Sequence, residues 1–179
     1  MEKIKTFAPN LIALFAAGVF LDSLRYKFTN APETQVIFGK LNAWAASFGA
    51  DGLFAQTGLF SQYVIGGAEL AASALLVIGI APAFRRLQAV GALIAFAVMS
   101  GAVSFHLFTP LGIDPNNDGG GLFAAAVTIW FTSILLLFLR RKALLAIIGG
   151  LKTAFFDTMR VESPAKKPRG SVNGEIAPA

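Results

Sequence analysis

Four ionisable residues stand where an apolar chain does not place them casually. Glu69 lies about two turns into a Gly/Ala-rich apolar run, and His106, the single histidine, lies near the end of the next. Asp22 and Arg25 close the first apolar run. A carboxylate, an imidazole and a guanidinium within mutual reach can relay a proton, hydrogen-bond a polar head group, or simply hold an ion pair. Ionisable groups inside a hydrophobic span are costly, so they face partners rather than lipid and are functional candidates by default. Burial and a cationic neighbour act oppositely on the charge of Glu69, and the sequence leaves both outcomes open.

Other chemistries find no support. The chain has no cysteine, which removes disulfides, thiolate ligands and thiol redox chemistry. One histidine cannot build a multi-histidine haem or metal centre in a single chain, so no metal site is expected. Asp114, Asn116, Asn117 and Asp118 resemble a fragment of a calcium loop, but Pro115 interrupts it and no glutamate follows at the required distance. No phosphate-binding loop, dinucleotide fingerprint or nucleophile–base motif occurs. The reading favours a protein without catalytic activity of its own.

The elements that must position these residues follow from composition. Of 179 residues, 55% are apolar and only 14% charged, with a mean hydropathy of +0.66. Soluble domains carry about 25% charged residues. The pattern predicts an all-α membrane protein, a bundle of four transmembrane helices with short interfacial helices. The predicted spans are 7–24, 63–84, 87–108 and 121–139, each near the length needed to cross about 30 Å of hydrocarbon. Pro9 suits the first turn of the first span. Ile37, Leu41, Trp44 and Phe48 recur at helical spacing and predict an interfacial helix over 36–48, with Trp44 as its anchor. A second amphipathic stripe predicts another over 143–160. Residues 1–160 form one membrane domain in this reading, and 161–179, rich in Pro, Lys, Gly and Ser, form a disordered cytoplasmic tail.

Charge placement sets orientation. Lys and Arg divide 12:3 between the side holding the termini and the Arg85/Arg86 turn and the side holding loops 25–62 and 109–120. That bias predicts both termini in the cytoplasm. The formal net charge of +5 is therefore a membrane-anchoring signature; no basic helix interleaved with stacking aromatics exists to bind nucleic acid. In this orientation Asp22, Arg25, Glu69 and His106 all fall in the outer half of the membrane, where one cavity could hold them. Gly66 and Ser73 share the face of Glu69, and Ala95 and Ala102 that of His106, which predicts both side chains turned into the bundle.

Arg25-Tyr26-Lys27-Phe28, Gly66-Gly67-Ala68-Glu69 with Leu75-Leu76 and Gly79, Ser104-Phe105-His106, and Gly119-Gly120-Gly121 together give a chain that resembles the DoxX-like family of small bacterial four-helix membrane proteins. The resemblance covers about residues 8–140. It departs where the family often has arginine in helix one and glycine before the lysine; those places hold Asn10 and Leu24. It implies an inner-membrane protein of redox or oxidative-stress metabolism, with Lys27, Glu69 and His106 as a polar site and Arg25 adjacent. A quinone or similar amphiphile is the expected ligand. Glu69 would accept or relay a proton, His106 would hydrogen-bond the ligand, and Arg25 would set the charge of Glu69. The lipid bilayer and a membrane redox complex or a second copy of the chain are the expected partners. Two other readings use the same residues: a small proton-coupled transporter, and a structural subunit of a larger membrane complex.

Overall fold

The computed structural model describes residues 2–161, which form six α-helices and a short 3-10 turn, with no strand among them. The helices are α1 (Glu2–Phe28), α2 (Pro32–Ala46), α3 (Gln62–Ile78), α4 (Arg85–Phe108), α5 (Gly121–Leu139) and α6 (Arg141–Val161), with the turn at Pro82–Phe84 between α3 and α4. By contact the chain divides into two compact units, Met1–Leu145 and Ala146–Ala179. The helical stretch foreseen over 143–160 is α6. The tail foreseen over 161–179 lies, beyond Val161, outside the described residues.

In the first unit α1 packs on α3 and α5, and α4 packs on α3 and α5, so the four long helices close a square. Its centre is built mostly of small side chains. Ala13, Ala16 and Phe20 of α1 meet Ala72 and Leu76 of α3, Ala92, Ala95 and Met99 of α4, and Ala126, Ile129 and Leu136 of α5. Alanine at the seams lets helices approach closely, where dispersion and close fit drive association. Gly91 lies at such a seam: a Cβ there would lie 2.9 Å from the Leu76 nitrogen and 3.0 Å from the Ala72 oxygen. The outward faces carry exposed Phe15, Leu70, Leu93, Phe131, Leu135 and Phe138.

Three stretches are long and apolar enough to cross a membrane: Phe7–Phe28, Pro82–Phe108 and Gly121–Leu139. The helix carrying Glu69 is shorter than the predicted span 63–84. It starts on Ser61, whose hydroxyl accepts from the Val64 N–H, and stops at Ile78. Gly79 is why it stops there, because it sits directly against Gln88, the fourth residue of α4, and the chain must turn at once. The first helix is longer than its predicted span at both ends. Pro9 therefore lies inside it, where it forgoes one backbone hydrogen bond. At the other end α1 continues four residues past Leu24, which puts Arg25, Tyr26 and Lys27 on helical faces instead of in a loop.

The stripe on α2 is present, but protein covers it. Leu41 and Ala45 are buried with Phe54 and Leu111, and Ile37, Phe38, Trp44, Leu53 and Phe105 pack around them. Trp44 stacks edge-on against Phe48 and Phe105, so its ring serves a small second core. Phe48 is the stripe residue left exposed.

The N-terminus of α5 shows how a polar loop fixes a helix start. Gly119 and Gly120 take left-handed φ angles of 70° and 79°, which glycine adopts without penalty. Asp118 then accepts from the N–H groups of Gly120 and Leu122 at 3.0 and 2.8 Å. These hydrogen bonds, that from Leu122 first, hold its carboxyl below the usual carboxylate range against the opposing effect of burial. A lowered folded-state pKa means the cap stabilises fully above the ordinary value near 3.9 and loses that effect as pH falls through the lowered one. Asp118→Ala should cost about 0.5–1 kcal/mol at pH 7. Thermal unfolding in detergent should show wild type and variant converging as pH falls through that lowered value; a gap that persists below it would deny the cap its charge.

Candidate functional site

Glu69 sits on the second turn of α3, 3% exposed, with the Lys27 ammonium 3.0 Å from its Oε2. Lys27 comes from the last turn of α1, and its side chain is 14% exposed. The register that joins them is set one turn away. Gly66 lies against Leu24 and Phe28, where a Cβ would come within 3.3–3.4 Å of their side chains. Lys27 also donates to the Ser23 hydroxyl one turn back on α1, which orients the ammonium. Lys27 and Ser23 are thus the polar groups beside this buried carboxylate, and no backbone N–H joins them among the described hydrogen bonds. A carboxylate normally accepts several donors, and a buried one left short is a place for a ligand or a proton.

Asp22 and Arg25 pair with each other at 3.0 Å, both 66% exposed. Arg25 also bonds the Tyr26 hydroxyl and lies over its ring. The expected Arg25 control of Glu69 is thus replaced by Lys27. The two positions lie about 200° apart around a helix of 3.6 residues per turn, so only one can face α3.

His106 is buried at 5% exposure near the end of α4. Its Nδ1 lies 2.6 Å from the Gly112 carbonyl oxygen, and its ring packs against Phe123 of α5. A carbonyl can only accept, so Nδ1 donates to it, and Nε2 has no partner among the described hydrogen bonds. His106 and Glu69 belong to the same end of the bundle, since α3 begins and α4 finishes there. They hold different partners, however, Lys27 for one and the 109–112 turn for the other.

Two polar clusters were not read from the sequence. Next to Lys27, the buried Gln62 donates to the Lys27 carbonyl at 2.8 Å and to Asn30 Oδ1 at 3.0 Å, while accepting from Gln35 at 2.7 Å. Gln56 donates to the same Asn30 oxygen. These amides tie the ends of α1, α2 and α3 together directly beside the ion pair. At the opposite end Arg140 Nε donates to Gln88 Oε1 at 2.6 Å, and Arg140 Nη2 and Gln88 Nε2 both reach Asn10 Oδ1 at 3.3 Å. The available signal was an amide inside each apolar run, at Asn10 and Gln88, where lipid offers no partner.

An all-helical bundle with apolar outer faces, three stretches fit to cross a membrane and a buried Lys–Glu pair is the architecture of a membrane protein with an internal polar site. Comparison with protein-family models, with curated proteins and with solved structures gave no match.

Proposed function

We propose that the chain is a DoxX-like, four-span protein of the bacterial inner membrane that binds the head group of a quinone-like amphiphile at Glu69 and Lys27. Supporting the fourth span, α3 runs from the Gln62 cluster at one end of the bundle to Gly79 at the other, packed on α1 and α4. Its 17 residues cover about 26 Å, close to the hydrocarbon thickness. Arg85, Arg86, Arg140, Arg141 and Lys142 gather at the end opposite Glu69, which favours that end, and both termini, in the cytoplasm.

One observation carries the ligand reading: the Glu69 carboxylate is buried in the bundle with Lys27 and Ser23 beside it but, among the described residues, no further donor. A quinol hydroxyl supplies such a donor, and Lys27 offers its ammonium to a quinone carbonyl. His106, on the same end and with no partner for Nε2 among the described hydrogen bonds, is the second hydrogen-bonding group. The role is accessory to redox or oxidative-stress metabolism and needs no catalytic step by this chain.

Protein purified from bacterial membranes in mild detergent should release quinone on solvent extraction, quantified by chromatography. Glu69→Gln should reduce the yield about tenfold or more, the value of one hydrogen bond to a charged group. Wild-type protein free of quinone, or equal retention by a folded Glu69→Gln, would leave the pair as a helix-locking device alone.

A further inference from the structure

The basic end of the bundle holds a guanidinium that is fixed in place but has no counter-ion among the described residues. Arg140, at the C-terminal cap of α5, reaches across to α4 and α1. Gln88, fully buried, orients its Nε, and Asn10 accepts from its Nη2. Both partners are neutral amides. The described hydrogen bonds leave Nη1 unused. Arg85 lies close enough for its charge to oppose that of Arg140, and Arg86 and Arg141 follow each of them in sequence. Among the described residues the ion pairs are Asp22–Arg25 and Lys27–Glu69, so no carboxylate pairs with any of these four arginines. Partial burial, and then Arg85, both act against the charged form of Arg140. An arginine held rigid in that setting calls for an anion with several acceptor oxygens, because a guanidinium fork matches phosphate.

The surface beside it is apolar. Phe138 is 60% exposed with the Arg141 guanidinium 4.5 Å above its ring, and Phe84 and Leu139 are also exposed. Cationic groups over an apolar wall suit an amphiphile whose phosphate meets the arginines while its chains run down the helices.

We propose that Arg140 and Arg85, braced by Gln88 and Asn10, bind the phosphodiester of an anionic phospholipid. The site rests on the membrane reading above but not on any ligand at Glu69. The lipid neutralises the paired guanidiniums and fastens the α4–α5 corner to one leaflet.

The test is native mass spectrometry of detergent-purified, delipidated protein titrated with phosphatidylglycerol or phosphatidylcholine, with inorganic phosphate as competitor. Wild type should take up one phosphatidylglycerol at least tenfold more tightly than phosphatidylcholine, with millimolar phosphate failing to displace it. Arg85→Gln, at an exposed position, should weaken that binding about fivefold, as one basic contact does. Arg140→Lys keeps the charge but loses the planar fork that Gln88 holds in place for phosphate, and should weaken it by a similar factor. A merely diffuse attraction leaves Arg140→Lys like wild type. Glu69→Gln should bind the lipid unchanged, which separates this site from the quinone reading. Equal uptake of the two lipids, indifference to both arginine variants, or displacement by inorganic phosphate would each overturn the proposal.

Discussion

Lys27→Met should destabilise the bundle by about 3–5 kcal/mol, while adding Glu69→Leu should restore most of that loss. The single substitution removes the counter-charge of a carboxylate that is 3% exposed and already short of donors. Breaking one partner of a buried pair leaves an uncompensated charge in a medium of low polarity, whereas replacing both by apolar groups removes the desolvation cost with the attraction. Leucine and methionine also fit the surroundings, since Leu24 and Phe28 already line that seam at Gly66. Unfolding in mixed micelles of increasing denaturing detergent, followed by circular dichroism, gives the four corners of the cycle. A double variant as unstable as Lys27→Met would show that the pair contributes through packing. A single variant within about 0.5 kcal/mol of wild type would show that Glu69 finds other compensation. The stable double variant also tests the proposed ligand site, since it should retain little quinone while keeping the fold.

Gly79→Ala should cost about 3 kcal/mol or more, at the upper end of overpacking effects. A Cβ at this position would stand 2.4 Å from both the backbone nitrogen and the Cβ of Gln88, and 2.6 Å from its Cα. No rotamer change relieves contact with backbone, so the start of α4 must move. Moving it displaces the Gln88 side chain that orients Arg140, and the polar clamp across α1, α4 and α5 loosens with it. Gly67→Ala is the control: it lies within α3, is exposed, and a Cβ there meets nothing within 4 Å. It should be neutral or stabilising by up to about 1 kcal/mol, through helix propensity. Equal effects of the two substitutions would mean that the α3–α4 turn yields easily.

The fold was legible where apolar runs are long and end in strong breakers. The run 121–139 coincides with α5, since glycines precede it and arginines follow. The span 87–108 is α4 less its first two residues. The end of α3 was not legible, because Ile80 and Ala81 continue the apolar run and only the approach of Gln88 to Gly79 forces the turn before Pro82. For α2 the periodicity marked the buried face correctly. That face packs on Phe54 and Leu111, which a period alone cannot reveal.

Glu69 announced itself in the sequence, as any carboxylate in an apolar run must, because lipid cannot solvate it. The identity of its partner did not. Both Arg25 and Lys27 lie within reach along the chain, and the choice depends on how far α1 continues and how it is rotated against α3. The fit of Gly66 against Leu24 and Phe28 decides that rotation, turning Lys27 inward and leaving Arg25 with Asp22. The sequence by itself determined that the chain is helical, apolar and built around a few costly polar groups, because composition and periodicity are local properties. Only the tertiary structure decided which of those groups meet, because a pairing across helices depends on axial register and rotation, and small residues at the seams set both.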